Sequence, residues 1–212
     1  MQHLENIKKM FSKNFVEHPL VETFEAGKIN LPSGELVACD PIITSDMKPF
    51  TVNVPKGDHN VFVHKERESG CVAYVEIAFA DVTISRWEMA LTEGQNINDL
   101  RKEEIFGYPV ESGMGCFMDV VTQNALNQLE ADLYAKKGDD FEGIYAEFFH
   151  NHFFDTKGAI DQFAFLKPSS DISGTIFAFE AGYGEGFYAT YIGYDDKGNV
   201  AKVVTEFIEI EN

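Results

Sequence analysis

The sequence predicts an α+β fold: a mainly antiparallel, sandwich-like β-sheet system with one or two helices inserted in the middle and a short N-terminal helix. Three observations predict it. Aromatic residues make up 13% of the chain and 19 of them are Phe, which suits a pleated, half-buried surface. Apolar residues alternate with a period of two in the first and last thirds. Between those thirds, from Val120 to Tyr134, the period becomes helical.

No repeat, low-complexity tract or Pro/Ser-rich linker divides the 212 residues. The expectation is one domain over 1–212, with 1–26 as a helical extension and 27–212 as a β-rich body. A chain of this length buries roughly 70% of its unfolded surface, enough to fold without disulfide or metal. In the extension, Leu4, Ile7 and Phe11 share one helical face, which should pack on the body because so short a helix is marginal alone.

Strands are expected after the turn Pro32-Ser33-Gly34. The segments are Glu35–Ala38, Phe50–Val54, Val61–Lys65, Val72–Ala80 and Val82–Trp87, with a turn at Pro55-Lys56-Gly57-Asp58. In Val72–Ala80, the residues Ala73, Val75, Ile77 and Phe79 form the more apolar face. The central helix places Leu126, Leu129 and Leu133 on one side. Asp119 stands where an N-cap would accept a backbone N–H, and Gly138 where a C-cap would end it. A second short helix is expected over Asp140–Phe149. Strands resume at Gln162–Leu166, Thr175–Glu180, Phe187–Tyr194 and Val200–Ile210. Between the last two, Asp195-Asp196-Lys197-Gly198-Asn199 has the chemistry of a bulged hairpin turn.

The formal net charge is −18. Such a charge opposes nucleic acid and anionic membrane, and it speeds encounter with a basic partner. Met1–Phe15 lacks the continuous apolar core of a secretory signal, and no run approaches the ~18 apolar residues of a membrane span. Cys39, Cys71 and Cys116 are odd in number and form no CxxC pair. They read as three buried free thiols of a reducing compartment, and a cytoplasmic location is expected.

Four stretches stand out. They are Leu31-Pro32-Ser33-Gly34-Glu35-Leu36-Val37-Ala38-Cys39-Asp40-Pro41, then Val110-Glu111-Ser112-Gly113-Met114-Gly115-Cys116-Phe117-Met118-Asp119, then Ala181-Gly182-Tyr183-Gly184-Glu185-Gly186-Phe187-Tyr188, and last Tyr191-Ile192-Gly193-Tyr194 leading on to Glu206-Phe207. In this order, from about Gly27 to Phe207, the set resembles the bacterial family catalogued as domain of unknown function 4241. The resemblance implies Asp at the positions of Glu111, Glu185 and Glu206, where this chain carries a carboxylate one methylene longer.

The candidate functional carboxylates are Asp40, Asp119 and Glu185. Turn and cap chemistry accounts for Asp40 before Pro41 and for Asp119 singly, so the three are not expected to converge. The glycines of 182–186 lie between two strands, which argues against a dinucleotide fingerprint and for a tight turn. His150 and His152 would face one side of a strand, as metal ligands could, but no third ligand is visible. No GxSxG is present. No metal or cofactor is expected.

The leading expectation is a non-catalytic acidic binding protein of immunity or antitoxin type, with a basic toxin or nuclease as partner. Its candidate contacts are Glu66 with Glu68, Glu103 with Glu104, Asp139 with Asp140 and Glu142, and Asp195 with Asp196. The alternatives are a small metal-dependent hydrolase using the three carboxylates, or a sugar- or nucleotide-binding module with Phe187, Tyr188 and Tyr191 as ligand contacts.

Overall fold

A computed structural model describes residues 2–155, 158–159 and 162–210. The remaining residues of the expected 1–212 domain lie outside these, as does the side chain of Phe154.

Helix α1 spans Gln2–Met10. Strands follow at Val21–Leu31 (β1), Leu36–Cys39 (β2), Gly57–Glu66 (β3), Val72–Ala78 (β4), Arg86–Met89 (β5), Tyr108–Val110 (β6) and Met114–Asp119 (β7). Helix α2 covers Val120–Lys137. A π-helical turn at Tyr145–Phe149 runs into α3, His150–Phe153. The chain then forms Phe154–Asp155 (β8), Gly158–Ala159 (β9), Phe163–Leu166 (β10), Ile176–Glu180 (β11), Gly186–Tyr188 (β12), Thr190–Tyr194 (β13) and Val200–Glu206 (β14).

Every strand pair is antiparallel. One sheet has the order β1-β3-β4-β14-β13-β5 and a second the order β10-β11-β7-β2. Two small ribbons, β12-β6 and β8-β9, complete the set. The fold is therefore α+β and β-rich, with antiparallel sheets, an N-terminal helix and helices inserted mid-chain.

Period-two alternation sorts the core into layers. Phe117, Phe177 and Phe179 of the four-stranded sheet share a buried cluster with Val61, Val63, Val75 and Val203 of the six-stranded sheet. Their strand neighbours Cys116, Met118, Ile176 and Ala178 turn the other way, into a second cluster with Leu126 of α2 and Phe149 and Phe153. On the far face of the six-stranded sheet, α1 buries Ile7 and Met10, and Phe11 just after it meets the rings of His64, Tyr74 and Trp87 edge-on or tilted. The apolar face read from Leu4, Ile7 and Phe11 thus packs on the body.

Helix α2 begins as its sequence requires. Asp119 caps it by accepting the Val121 N–H at 3.0 Å. Gly138, at φ +57°, ends it. The 195–199 hairpin also forms, with the Asp195 carboxylate accepting the N–H groups of Lys197 and Asn199 and with Gly198 at φ +83°.

Several boundaries differ from expectation. Strands begin at Val21, so 1–26 is not a purely helical extension. Strand β1 is polar along most of its length and lies at a sheet edge, where charges such as Glu22 and Lys28 discourage pairing with other chains. A bulge between Glu25 and Gly27 breaks its alternation. Phe50–Val54 is not a strand. Only Phe50 bridges, to Thr92, and the segment's N–H groups go to separate stretches, Phe50 to Leu36, Thr51 to Leu91 and Val54 to Gly34, so no single ladder forms. The expected turn at Gly57-Asp58 is already strand, and Val82–Ser85 is not. Phe187–Tyr194 divides at Ala189, since β12 pairs with β6 whereas β13 pairs with β14 and β5. Val200–Ile210 keeps strand form only to Glu206, and the second mid-chain helix starts at Ile144, not Asp140.

The thiols also differ. Cys39 and Cys116 are fully buried cross-strand partners with sulfurs 3.6 Å apart, whereas Cys71 is half-buried. Burial, and then the Cys39 thiol, raise the Cys116 pKa well above the ordinary thiol value. Reactivity needs exposure and thiolate. In native protein, a thiol reagent at pH 8 should label Cys71 at least tenfold faster than the other two. Rapid modification of Cys39 or Cys116 would contradict this packing.

Candidate functional site

Ser-Gly-x5-Asp occurs twice, at Ser33–Asp40 and at Ser112–Asp119. The two copies bracket β2 and β7, which pair with Ala38 opposite Phe117 at the centre. Each Asp is buried and grips the Ser-Gly turn that leads into the other strand. Asp119 accepts from the Ser33 N–H, the Ser33 hydroxyl and the Gly34 N–H at 2.9, 2.7 and 2.9 Å, besides capping α2. Asp40 accepts from the Glu111 and Ser112 N–H groups at 2.9 and 2.8 Å and from the Ser112 hydroxyl at 2.8 Å. It also closes its own turn by accepting the Ile42 N–H at 2.9 Å. This repeat is visible in the sequence once the pairing is known, but the reading above found none.

The three candidate carboxylates do not meet. Asp40 and Asp119 stand at opposite ends of the β2–β7 pair, and Glu185 is exposed in the β11–β12 loop. Among the described residues, no group of three or more His, Cys, Asp or Glu is placed to hold a metal ion. His150 and His152 lie on helix rather than strand, where residues two apart diverge. Their rings accordingly pack on different partners, Tyr145 and Phe148.

The aromatic candidates fare differently. Phe187, Tyr188 and Tyr191 line one cavity of about 230 Å³ together with Ile105, Ala189, Glu206, Phe207 and Glu209. Antiparallel pairing of β13 with β14 brings Tyr191 opposite Val204, near the end of β14 where Glu206 sits. Phe187 remains half exposed, while Tyr188 packs edge-on against Phe207 at 4.8 Å between ring centroids. Backbone of the 105–107 loop closes over Tyr188. A Cβ on Gly107 would lie 2.2 Å from the Tyr188 carbonyl oxygen, so only glycine permits this approach. The loop that leads into β12 is tied to the turn that Asp40 clamps, because the Ala181 N–H donates to the Gly113 carbonyl at 2.9 Å.

Polar groups converge at the floor. Tyr191 is fully buried, and its hydroxyl has no hydrogen-bond partner among the described residues. Glu206 is buried too and accepts from Asn6 of α1 at 2.5 Å. The Tyr74 hydroxyl accepts from Asn6 and from the Ile210 N–H, which leaves its own proton to donate to Glu206. Burial raises the Glu206 pKa to about 7, and nearby Glu209 adds to the rise against the Asn6 and Tyr74 hydrogen bonds. Near neutrality this carboxyl is thus partly protonated, a state that enzymes and binding sites both exploit.

A second buried polar group lies on the same sheet face. Glu76 is flanked by Lys202 and by His64 Nε2 at 3.1 Å, and Thr23 reaches His64 Nδ1 at 2.8 Å. Burial alone would raise the Glu76 pKa, but His64 and Lys202 together hold it below the ordinary value. Lys202 also donates to the Asn14 carbonyl at 3.0 Å. These side chains satisfy one another, and Lys202 also lines a cavity of about 480 Å³ with Phe15, Phe62 and Phe79.

The sequence model of a family described as "Protein of unknown function (DUF4241)" matches residues 29–205. The chain belongs to this family. The part of this DUF4241 chain that matches takes in both Ser-Gly-x5-Asp copies and Phe187, Tyr188 and Tyr191, and it stops one residue short of Glu206. No curated protein and no solved structure matches the chain. No helix of the DUF4241 fold is long and apolar enough to cross a membrane, among the described residues.

Sequence reasoning singled out the pocket's aromatics but missed its carboxyl. Glu206 closes the fourth motif, yet nothing local marks it as buried. Its environment comes from Asn6 and Tyr74, 200 and 132 positions away.

Proposed function

We propose that this protein is a non-catalytic binding protein whose ligand seat is the aromatic pocket above Glu206 and Tyr191. One observation carries the reading. Three aromatic side chains, a buried carboxyl and a buried hydroxyl with no hydrogen-bond partner among the described residues converge on one cavity. Pockets for small molecules combine apolar walls with a few placed polar groups. A volume of about 230 Å³ suits a ligand smaller than a drug-sized molecule. The hydrolase alternative loses support, since Asp40 and Asp119 spend their oxygens on backbone and serine donors and are turned inward.

The basic-partner reading rests on charge alone. Glu66 and Glu68 stand at the β3–β4 turn, and Asp195 and Asp196 at the β13–β14 turn. Tyr74 pairs with Glu206 and Ala78 with Lys202, so these turns lie at opposite ends of the sheet. They do not compose one docking face.

The test is a thermal-shift panel of sugars, nucleosides and small amines on wild type and on Phe187→Ala. The expected result is that one chemical class raises Tm in wild type and loses at least fivefold in affinity in the variant. A panel without any shift, or one that Phe187→Ala leaves unchanged, would remove the pocket as the seat.

A further inference from the structure

We propose that Cys39 and Cys116 form a redox switch, in which a small disulfide such as oxidised glutathione converts the two thiols to a reversible cystine that locks β2 to β7. This inference is independent of the pocket. Cys39 and Cys116 stand directly opposite each other in the β2–β7 register, and both side chains enter the cluster under α2. Their sulfurs are 3.6 Å apart, close enough for one thiol to hydrogen-bond the other. Directly paired antiparallel residues have Cα atoms about 4.5–5.5 Å apart, inside the span of about 4.4–6.8 Å that a disulfide bridges. Cys71 sits at the β3–β4 turn of the other sheet and is the pairing partner of neither. Asp40 follows Cys39 directly and holds the turn at Ser112 that leads into β7, so the bond would form at that clamp's end of the strand pair.

The ladder makes the bond a reversible one. The Val120 N–H donates to the Glu35 carbonyl at 3.0 Å, so these two residues form a hydrogen-bonded pair. The register runs on without a shift, and alternation makes Val37–Met118 and Cys39–Cys116 hydrogen-bonded pairs as well. Pairs of this kind are the wider of the two antiparallel types, with Cα atoms about 5.5 Å apart. A cystine across the wider pair is strained, and strained disulfides are the readily reduced, regulatory ones. Access comes from the sheet edge. Strand β2 is the last strand of its sheet, so its local opening bares Cys39 while β7, β11 and β10 stay paired. In the opened state the Cys39 thiolate attacks glutathione disulfide, whose S–S bond breaks to release one glutathione. Cys116 then displaces the second glutathione from Cys39. Two protein S–H bonds are lost and one S–S bond forms, and the two electrons and two protons leave on the two glutathione thiols. Burial disfavours the Cys116 thiolate, which makes closure slow.

The experiment incubates the full chain in mixtures of reduced and oxidised glutathione at pH 8, both as native protein and during refolding from urea. Intact mass, peptide mapping and hydrogen exchange are read after acid quenching. The expected result is a Cys39–Cys116 cystine that forms in native protein more slowly than Cys71 takes up glutathione, and that opens again in excess reduced glutathione. Amide exchange at Val37 and Cys39 should slow about tenfold in the oxidised form, because the opening of β2 is then suppressed. Cys71→Ser should leave the bond in place, and Cys116→Ala should abolish it. If Cys39 and Cys116 stay reduced on both routes, stop at mixed disulfides with glutathione, or pair with Cys71, the inference falls. It falls equally if the bond forms only on refolding, resists reduced glutathione, or leaves exchange in β2 unchanged, because such a bond switches nothing.

Discussion

Replacing Asp119 by Ala is expected to destabilise the protein by about 4 kcal/mol, because four donors lose their acceptor at once. The side chain is fully buried and accepts from Ser33, twice, from Gly34 and from Val121. Loss of a helix N-cap alone costs about 1 kcal/mol. The Ser33 and Gly34 N–H groups would add the desolvation cost of donors left without partners, about 1–3 kcal/mol each when buried. Urea denaturation followed by circular dichroism measures the sum. Asp119→Asn should fall between, since its carbonyl oxygen still accepts while its amino group opposes the backbone donors. The matching clamp at Asp40 makes a sharper demand. Asp40→Ala should cost a similar amount, because Asp40 holds Glu111, Ser112 and Ile42 in the matching way. A loss below 1 kcal/mol at either position would mean that the clamps do not hold the β2–β7 core.

Glu206→Gln is expected to stabilise the protein at pH 8 and to leave it nearly unchanged at pH 4. The folded pKa is raised from 4.5 to about 7, chiefly by burial. As pH climbs, the unfolded chain gives up this proton first. Stability associated with the neutral carboxyl is complete below the unfolded value and gone above the folded one. Wild type should therefore lose stability between about pH 4.5 and 7, by about 3 kcal/mol if the shift is converted directly. Glutamine keeps the shape and never ionises, so the difference between variant and wild type should open across that window. A difference that is flat with pH would show that Glu206 ionises in the folded protein as it does in water.

Local chemistry made part of the fold legible. The Asp119 cap, the Gly138 stop and the 195–199 turn each depend on residues within a few positions of one another, and each formed as read. Helix α1 was legible because its apolar residues recur at helical spacing. Strand β1 was not, because an edge strand needs no apolar alternation and this one interrupts its own with a bulge at Gly27. Phe50–Val54 misled in the opposite direction, since its alternation is real but its N–H groups go to separate stretches of chain. Glu76 also misled. It shares a strand face with Tyr74, which the sequence presented as the more polar side. Helix α1 and Phe11 cover that face, so its charges are buried and must pair with each other. The Ser-Gly-x5-Asp repeat matches at only three of eight positions. It gained meaning only when β2 and β7 proved to be partners.

The candidate site divides along the same line. Phe187, Tyr188 and Tyr191 sit within five residues of each other, and composition alone marked them as a group. Glu206 becomes a buried acid only through contacts supplied by α1 and β4, which no local pattern encodes.

The central claim is that burial beside the aromatic pocket raises the Glu206 pKa to about 7. Carbon-13 NMR of the side-chain carboxyls, with the Glu206 signal assigned by its absence in Glu206→Gln, tests it most directly. The account predicts titration near pH 7. Titration near 4.5 would contradict it.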